Sequence, residues 1–132
     1  KQVEIINQLY LEQEIDQSLL VKREINKKIK GYKYQDIHKK IIDLNKIISL
    51  DQTIEMIMKS KLNCFYCKEK CELLYTHVFA KKQWTLDRIN NNQGHNYDNV
   101  VICCLECNVK RGDMDGERFK RGKEIKIVRK QY

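Results

Sequence analysis

Two pairs of cysteines carry the clearest chemistry in this chain of 132 residues. Cys64-Phe-Tyr-Cys67 and Cys104-Leu-Glu-Cys107 both have the Cys-x-x-Cys spacing. That spacing lets both sulfurs of a pair face one ion while amides of the turn point at the sulfurs, and two such pairs complete a tetrahedral zinc site. The competing reading is buried free thiols or two disulfides. Disulfides belong to oxidising compartments, and nothing in the sequence has the pattern of a secretory signal. Structural zinc is therefore the expected occupant, and a reducing, intracellular compartment the expected location. Cys71 and Cys103 are left over. Cys103 closes an apolar run and reads as a buried thiol, whereas Cys71, four residues after Cys67, is a competitor for the ion.

Between and after the pairs stand Trp84-Thr-Leu-Asp87-Arg88-Ile-Asn90, Gly94-His95-Asn-Tyr-Asp98-Asn99-Val-Val-Ile-Cys103, and Asn108 followed by Lys110-Arg111-Gly112. In combination, over Leu62 to Asp113, these motifs resemble the HNH (ββα-metal) endonuclease family. The resemblance implies a hairpin and a following helix, stapled by zinc on Cys64, Cys67, Cys104 and Cys107, with Asp87 placed opposite Asn108. Mg²⁺ or Mn²⁺ prefers oxygen ligands, and these two residues offer a carboxylate and an amide carbonyl. An ion held there would bind a scissile phosphate and stabilise the leaving oxygen during in-line attack by water. By the same resemblance, Asn99 is the middle Asn of the motif, bonding backbone across the loop and positioning the base.

One position departs from the family. The residue after the Asp is usually a His that activates water, and here it is Arg88, which stays protonated and is no ordinary base. Arg88 could hold a non-bridging phosphate oxygen; the alternative is a salt bridge to Asp98 or Glu106. His95 is the first substitute for the base and His77 the second, each with a purely structural alternative. His38 is assigned no role. The expected activity is metal-dependent hydrolysis of DNA, most naturally double-stranded. The rival is a non-catalytic nucleic-acid-binding or structural zinc protein that kept the fold, and a third reading, an RNA-binding zinc ribbon, rests on charge alone.

The elements that must position these residues give an α+β class: a zinc-stapled core over 61–132 and an α-helical extension over 1–60. In the extension Val3, Ile6, Leu9 and Tyr10 recur at helical spacing, as do Ile15, Leu19, Ile25 and Ile29, and then Ile37, Ile41, Leu44 and Ile48. Gly31 is the expected end of one helical section, and Asp51 the expected cap of a short helix holding Ile54, Ile57 and Met58. Leu73–Phe79, Trp84–Ile89 and Val100–Ile102 read as strands. Trp84 reads as a core residue, and Phe65 and Tyr66 as a cover for the zinc.

A net charge of +8 and a pI near 9.2 favour a polyanionic partner. Of that charge +6 lies beyond residue 60, where Lys110, Arg111, Arg118, Lys120, Arg121, Lys123, Lys126, Arg129 and Lys130 are candidates for phosphate contact. A second basic group, Lys22, Arg23, Lys27, Lys28, Lys30 and Lys33, suggests a DNA-positioning arm, with Tyr32 and Tyr34 beside it. The alternative for these helices is a surface for a homodimer or larger assembly. No apolar run approaches the roughly 18 residues of a membrane span. The chain begins at Lys1 and is rich in Lys, Ile and Asn, which fits a processed product or a piece of a longer protein from an AT-rich virus or mobile element.

Overall fold

The computed structural model describes residues 2–12, 17–112, 114 and 119–124. Helices α1 (Gln2–Tyr10), α2 (Ser18–His38) and α3 (Leu50–Ser60) come first. Strand β1 (Trp84–Arg88), a 3-10 turn at Tyr97–Asn99, strand β2 (Val100–Cys104) and helix α4 (Leu105–Arg111) follow, and residues 119–124 are helical. The protein is thus mixed α and β, and its sheet among the described residues is one antiparallel pair running from Trp84 opposite Cys104 to Arg88 opposite Val100. Helix α4 starts where β2 ends, so the second cysteine pair sits on the strand-to-helix junction.

One apolar core runs through both halves. Ile6 and Leu9 of α1, Val21 and Ile25 of α2, and Ile54 and Ile57 of α3 are buried together with Leu62, Leu73, Trp84, Leu86 and Ile102. Each fully buried side chain of this size contributes about 1.5–3 kcal/mol. Trp84 is a core residue, as its neighbours in sequence suggested.

Several expected boundaries differ. Helix α2 passes through Gly31 without a break and stops after His38, where Lys40 takes the left-handed backbone at φ 60°. The run Ile37, Ile41, Leu44, Ile48 forms no helix of its own: Ile37 belongs to the end of α2, and the other three lie in the loop that follows. Ile37 and Leu44 are exposed, so the apparent period has no common face to bury. Helix α3 is capped by Ser49 and not by Asp51: Ser49 and Gln52 bond each other's backbone amides in a capping box. Leu73–Phe79 is not a strand. The amides of Leu73 and Leu74 donate to Oε1 of Gln2, whose Nε2 donates to the Leu74 carbonyl at 3.1 Å, so a side chain of α1 satisfies backbone that a strand partner would otherwise pair. Ile15 lies outside the described residues.

Candidate metal centre and the cleft beside it

The loop after α3 turns back on itself through left-handed residues Lys61, Leu62 and Lys68 and a bridge between Asn63 and Lys70. This presents Cys64 and Cys67 toward the β2–α4 junction, and the amide of Phe65 donates to the Ile102 carbonyl at 2.9 Å, tying the turn to β2. The ligand sulfurs of Cys64, Cys67, Cys104 and Cys107 lie within 4.8 Å of one another. Amides of Tyr66 and Cys67 donate to Cys64 Sγ at 3.4 and 3.5 Å. Four soft donors with amide support, three of them buried, fit a tetrahedral zinc ion. Cys71 is buried outside this group with its thiol against Cys64. Cys103 is a buried thiol, pushed well up by burial and in contact with Thr85 Oγ1 at 3.2 Å.

A cleft of about 650 Å³ is lined by α2, the 75–78 turn, β1 and α4. Asp87, Arg88, His95, Asn108 and His77 all line it. Asp87 is 8% exposed. Its Oδ2 accepts from the Tyr66 hydroxyl at 2.6 Å and from Arg111 Nη1 at 2.7 Å. Asn108 donates from Nδ2 to Thr85 Oγ1 at 3.1 Å. This leaves Oδ1 of Asp87 and Oδ1 of Asn108 with no protein partner in the described residues and open to solvent. The two residues share the cleft but do not bond each other.

Arg88 pairs with neither Asp98 nor Glu106. Its Nη1 donates to the carbonyls of Asn91 at 3.0 Å and Gln93 at 3.4 Å, bracing the loop between the strands. Asn99 spans the same loop: its Oδ1 accepts from the Asn90 amide, and its Nδ2 donates to the carbonyls of Asn90 and Gly94. His95 is buried, with Nδ1 at 2.7 Å from Asp36 Oδ1 and its ring stacked on Tyr32 at 4.4 Å. Burial lowers its pKa from the ordinary 6.5, against a partial restoration by Asp36. His77 is exposed on an irregular turn. His38 stacks on Tyr34, away from the cleft lining.

No family model, no curated protein and no solved structure matches this chain.

Four contributors had no signal of their own in the sequence: Asp36, Tyr66 as a partner of Asp87, Arg111 as a buried ion, and Lys28. Arg111 is 3% exposed, so it is no phosphate contact. Burial works against its charge, and Asp87 more than offsets this. Lys28 donates to Gln83 Oε1 and the Trp84 carbonyl and lies over the rings of Tyr75 and Trp84. Burial pulls its ammonium down to about 8. Lys27 also lines the cleft, and Lys22, Arg23, Lys30 and Lys33 are exposed on α2. The Tyr32 hydroxyl accepts the Leu86 amide at 3.0 Å, a packing role, while Tyr34 is exposed. Phe65 and Tyr66 meet edge-on beside the knuckle, and Tyr66 meets Phe119 in the same way. Arg118, Lys126, Arg129 and Lys130 lie outside the described residues. No helix among the described residues is long and apolar enough to cross a membrane.

Proposed function

We propose that this chain is a metal-dependent DNA endonuclease of the HNH type, a zinc-stapled ββα-metal core that hydrolyses phosphodiester bonds in double-stranded DNA. The observation that carries the reading is a pair of oxygens without a partner among the described residues, Asp87 Oδ1 and Asn108 Oδ1, on residues that line one cleft in a chain that also brings four cysteines together. These hard donors fit Mg²⁺ or Mn²⁺. When bound, such an ion supplies Lewis-acid stabilisation to the scissile phosphate and the leaving oxygen.

The chain's own residues do the rest. Tyr66 and Arg111 hold Asp87 by Oδ2 so that Oδ1 keeps its place, and Thr85 does the same for the Asn108 amide. Arg88 neutralises a non-bridging oxygen of the phosphate from the cleft wall. His95 takes the proton of the attacking water, and Asn99 holds the loop that carries it. The exposed lysines of α2 and the positive balance of the second half draw in the polyanion.

The second reading, a nucleic-acid-binding zinc protein without catalysis, is favoured by one contact: Asp87 is already neutralised by Arg111 inside the protein. Incubation of supercoiled plasmid with Mg²⁺ or Mn²⁺ separates the two. Nicked or linear product that disappears without metal and in Asp87→Asn and Asn108→Ala supports the nuclease. Intact plasmid with a folded, DNA-bound protein supports the scaffold.

A further inference from the structure

Resting on that nuclease reading, we infer that Asp36 of α2 is the positioning residue for the base. It forms with His95 an Asp–His dyad, which makes the helical extension part of the catalytic machinery and not only an arm.

The dyad is built from both ends of the carboxylate. Asp36 Oδ1 lies 2.7 Å from His95 Nδ1, and Oδ2 accepts the backbone amide of His95, also at 2.7 Å. A carboxylate can only accept, so in the neutral ring the proton sits on Nδ1 and the lone pair on Nε2. Nε2 has no partner in the described residues and keeps a little contact with solvent, while His95 lines the cleft shared by Asp87 and Asn108. That is the arrangement a base needs: one nitrogen anchored by the carboxylate, the other without a partner among the described residues, on a side chain that lines the cleft.

The surroundings are shaped around this contact. A Cβ on Gly94 would stand 2.7 Å from Asp36 Oδ2 and 3.1 Å from the Ile41 carbonyl, so only glycine lets the carboxylate reach the next residue's amide. Tyr32, one helical turn before Asp36, stacks on the imidazole with an interplanar angle of 21°. Asp36 is 1% exposed and His95 3%, so each holds the other in place of water. The charged groups acting on the ring are Asp36 from α2 and Asp87 and Arg88 from β1.

In the step itself the water oxygen forms a bond to phosphorus, its proton passes to His95 Nε2, and the phosphorus–oxygen ester bond opposite breaks. The departing oxygen takes a proton from solvent. The imidazolium formed is stabilised by Asp36 and later returns its proton to solvent.

The test measures plasmid cleavage by the zinc-loaded full chain across pH, with nitrogen-15 NMR of the histidine rings. Asp36→Asn is expected to lower kcat about 10–100-fold with DNA affinity unchanged, and to move the acid limb of the profile to lower pH. His95→Gln is expected to cost about 10²–10⁴-fold, and the double variant to be no slower than His95→Gln alone. Parental kcat and acid limb in Asp36→Asn, or full additivity in the double variant, overturns the dyad and leaves the nuclease standing. A parental chain that cleaves nothing overturns both. If Asp36→Asn does not fold, the parental spectrum decides: a bare Nε2 with protonated Nδ1 supports the dyad, and a protonated Nε2 overturns it.

Discussion

Arg111 spends all its donors inside the protein. Nε donates to the Met114 carbonyl, Nη1 to Asp87 and the Arg88 carbonyl, and Nη2 to the Ile89 carbonyl and Asn91 Oδ1. Removing one member of a buried ion pair strands the other, which costs about 3–5 kcal/mol. Arg111→Met is therefore expected to lose that much in denaturant unfolding, and Arg111→Lys to recover little, because an ammonium cannot reproduce the fork. At His95 the sign runs the other way from a salt-bridged histidine. Burial lowers its folded pKa below 6.5, so on acidification the unfolded chain takes up the proton first and stability falls as pH drops through that range. His95→Gln should flatten this part of a melting-temperature profile between pH 8 and 5 relative to the parental chain; an unchanged difference would refute it. At this scale the four-cysteine cluster was legible, because paired sulfurs announce their chemistry, and Asp87 and Asn108, singled out as a hard carboxylate and amide, line one cleft. Their partners were not. Asp36 stands 59 positions from His95, where no spacing rule reaches, and Arg111 sits in a Lys-Arg-Gly run that reads as solvated charge.

Among the elements, the hairpin and α4 depend on the cysteine cluster more than on their own length. A two-stranded sheet of five-residue strands is marginal alone, and metal binding at such a site is folding free energy. Metal analysis is thus expected to find one zinc per chain, and Cys104→Ser or a strong chelator to remove it together with the cooperative thermal transition followed by circular dichroism. Cys71→Ser should retain one zinc per chain, since Cys71 lies outside the four-sulfur group; loss of the ion there would make it a ligand. The second half's hairpin was readable from its own residues, Trp84–Ile89 and Val100–Ile102, because each strand is defined locally. Leu73–Phe79 was misread because its backbone partner is Gln2, a residue of another element that no local pattern contains.

For the molecule as a whole, the decisive feature is the shared core. Sequence placed a boundary near Lys61, where composition and charge shift, yet Ile6, Ile25 and Ile57 are buried in one cluster with Trp84 and Leu86. A polypeptide of residues 61–132 would leave that apolar surface open. It is expected to show poor amide dispersion and no sharp melting even with zinc, where the full chain shows both; a well-folded fragment would contradict this.

The close approach of Asp36 to Gly94 has a consequence for descent. Because a methyl at position 94 and a carboxylate at position 36 compete for the same space, a lineage can keep the acid only while it keeps the glycine. Among relatives an acid at position 36 should therefore occur only beside a glycine at 94, whereas the glycine can outlast the acid, so the acid marks which descendants retain the histidine's anchor even where the rest of the helical half has drifted beyond recognition.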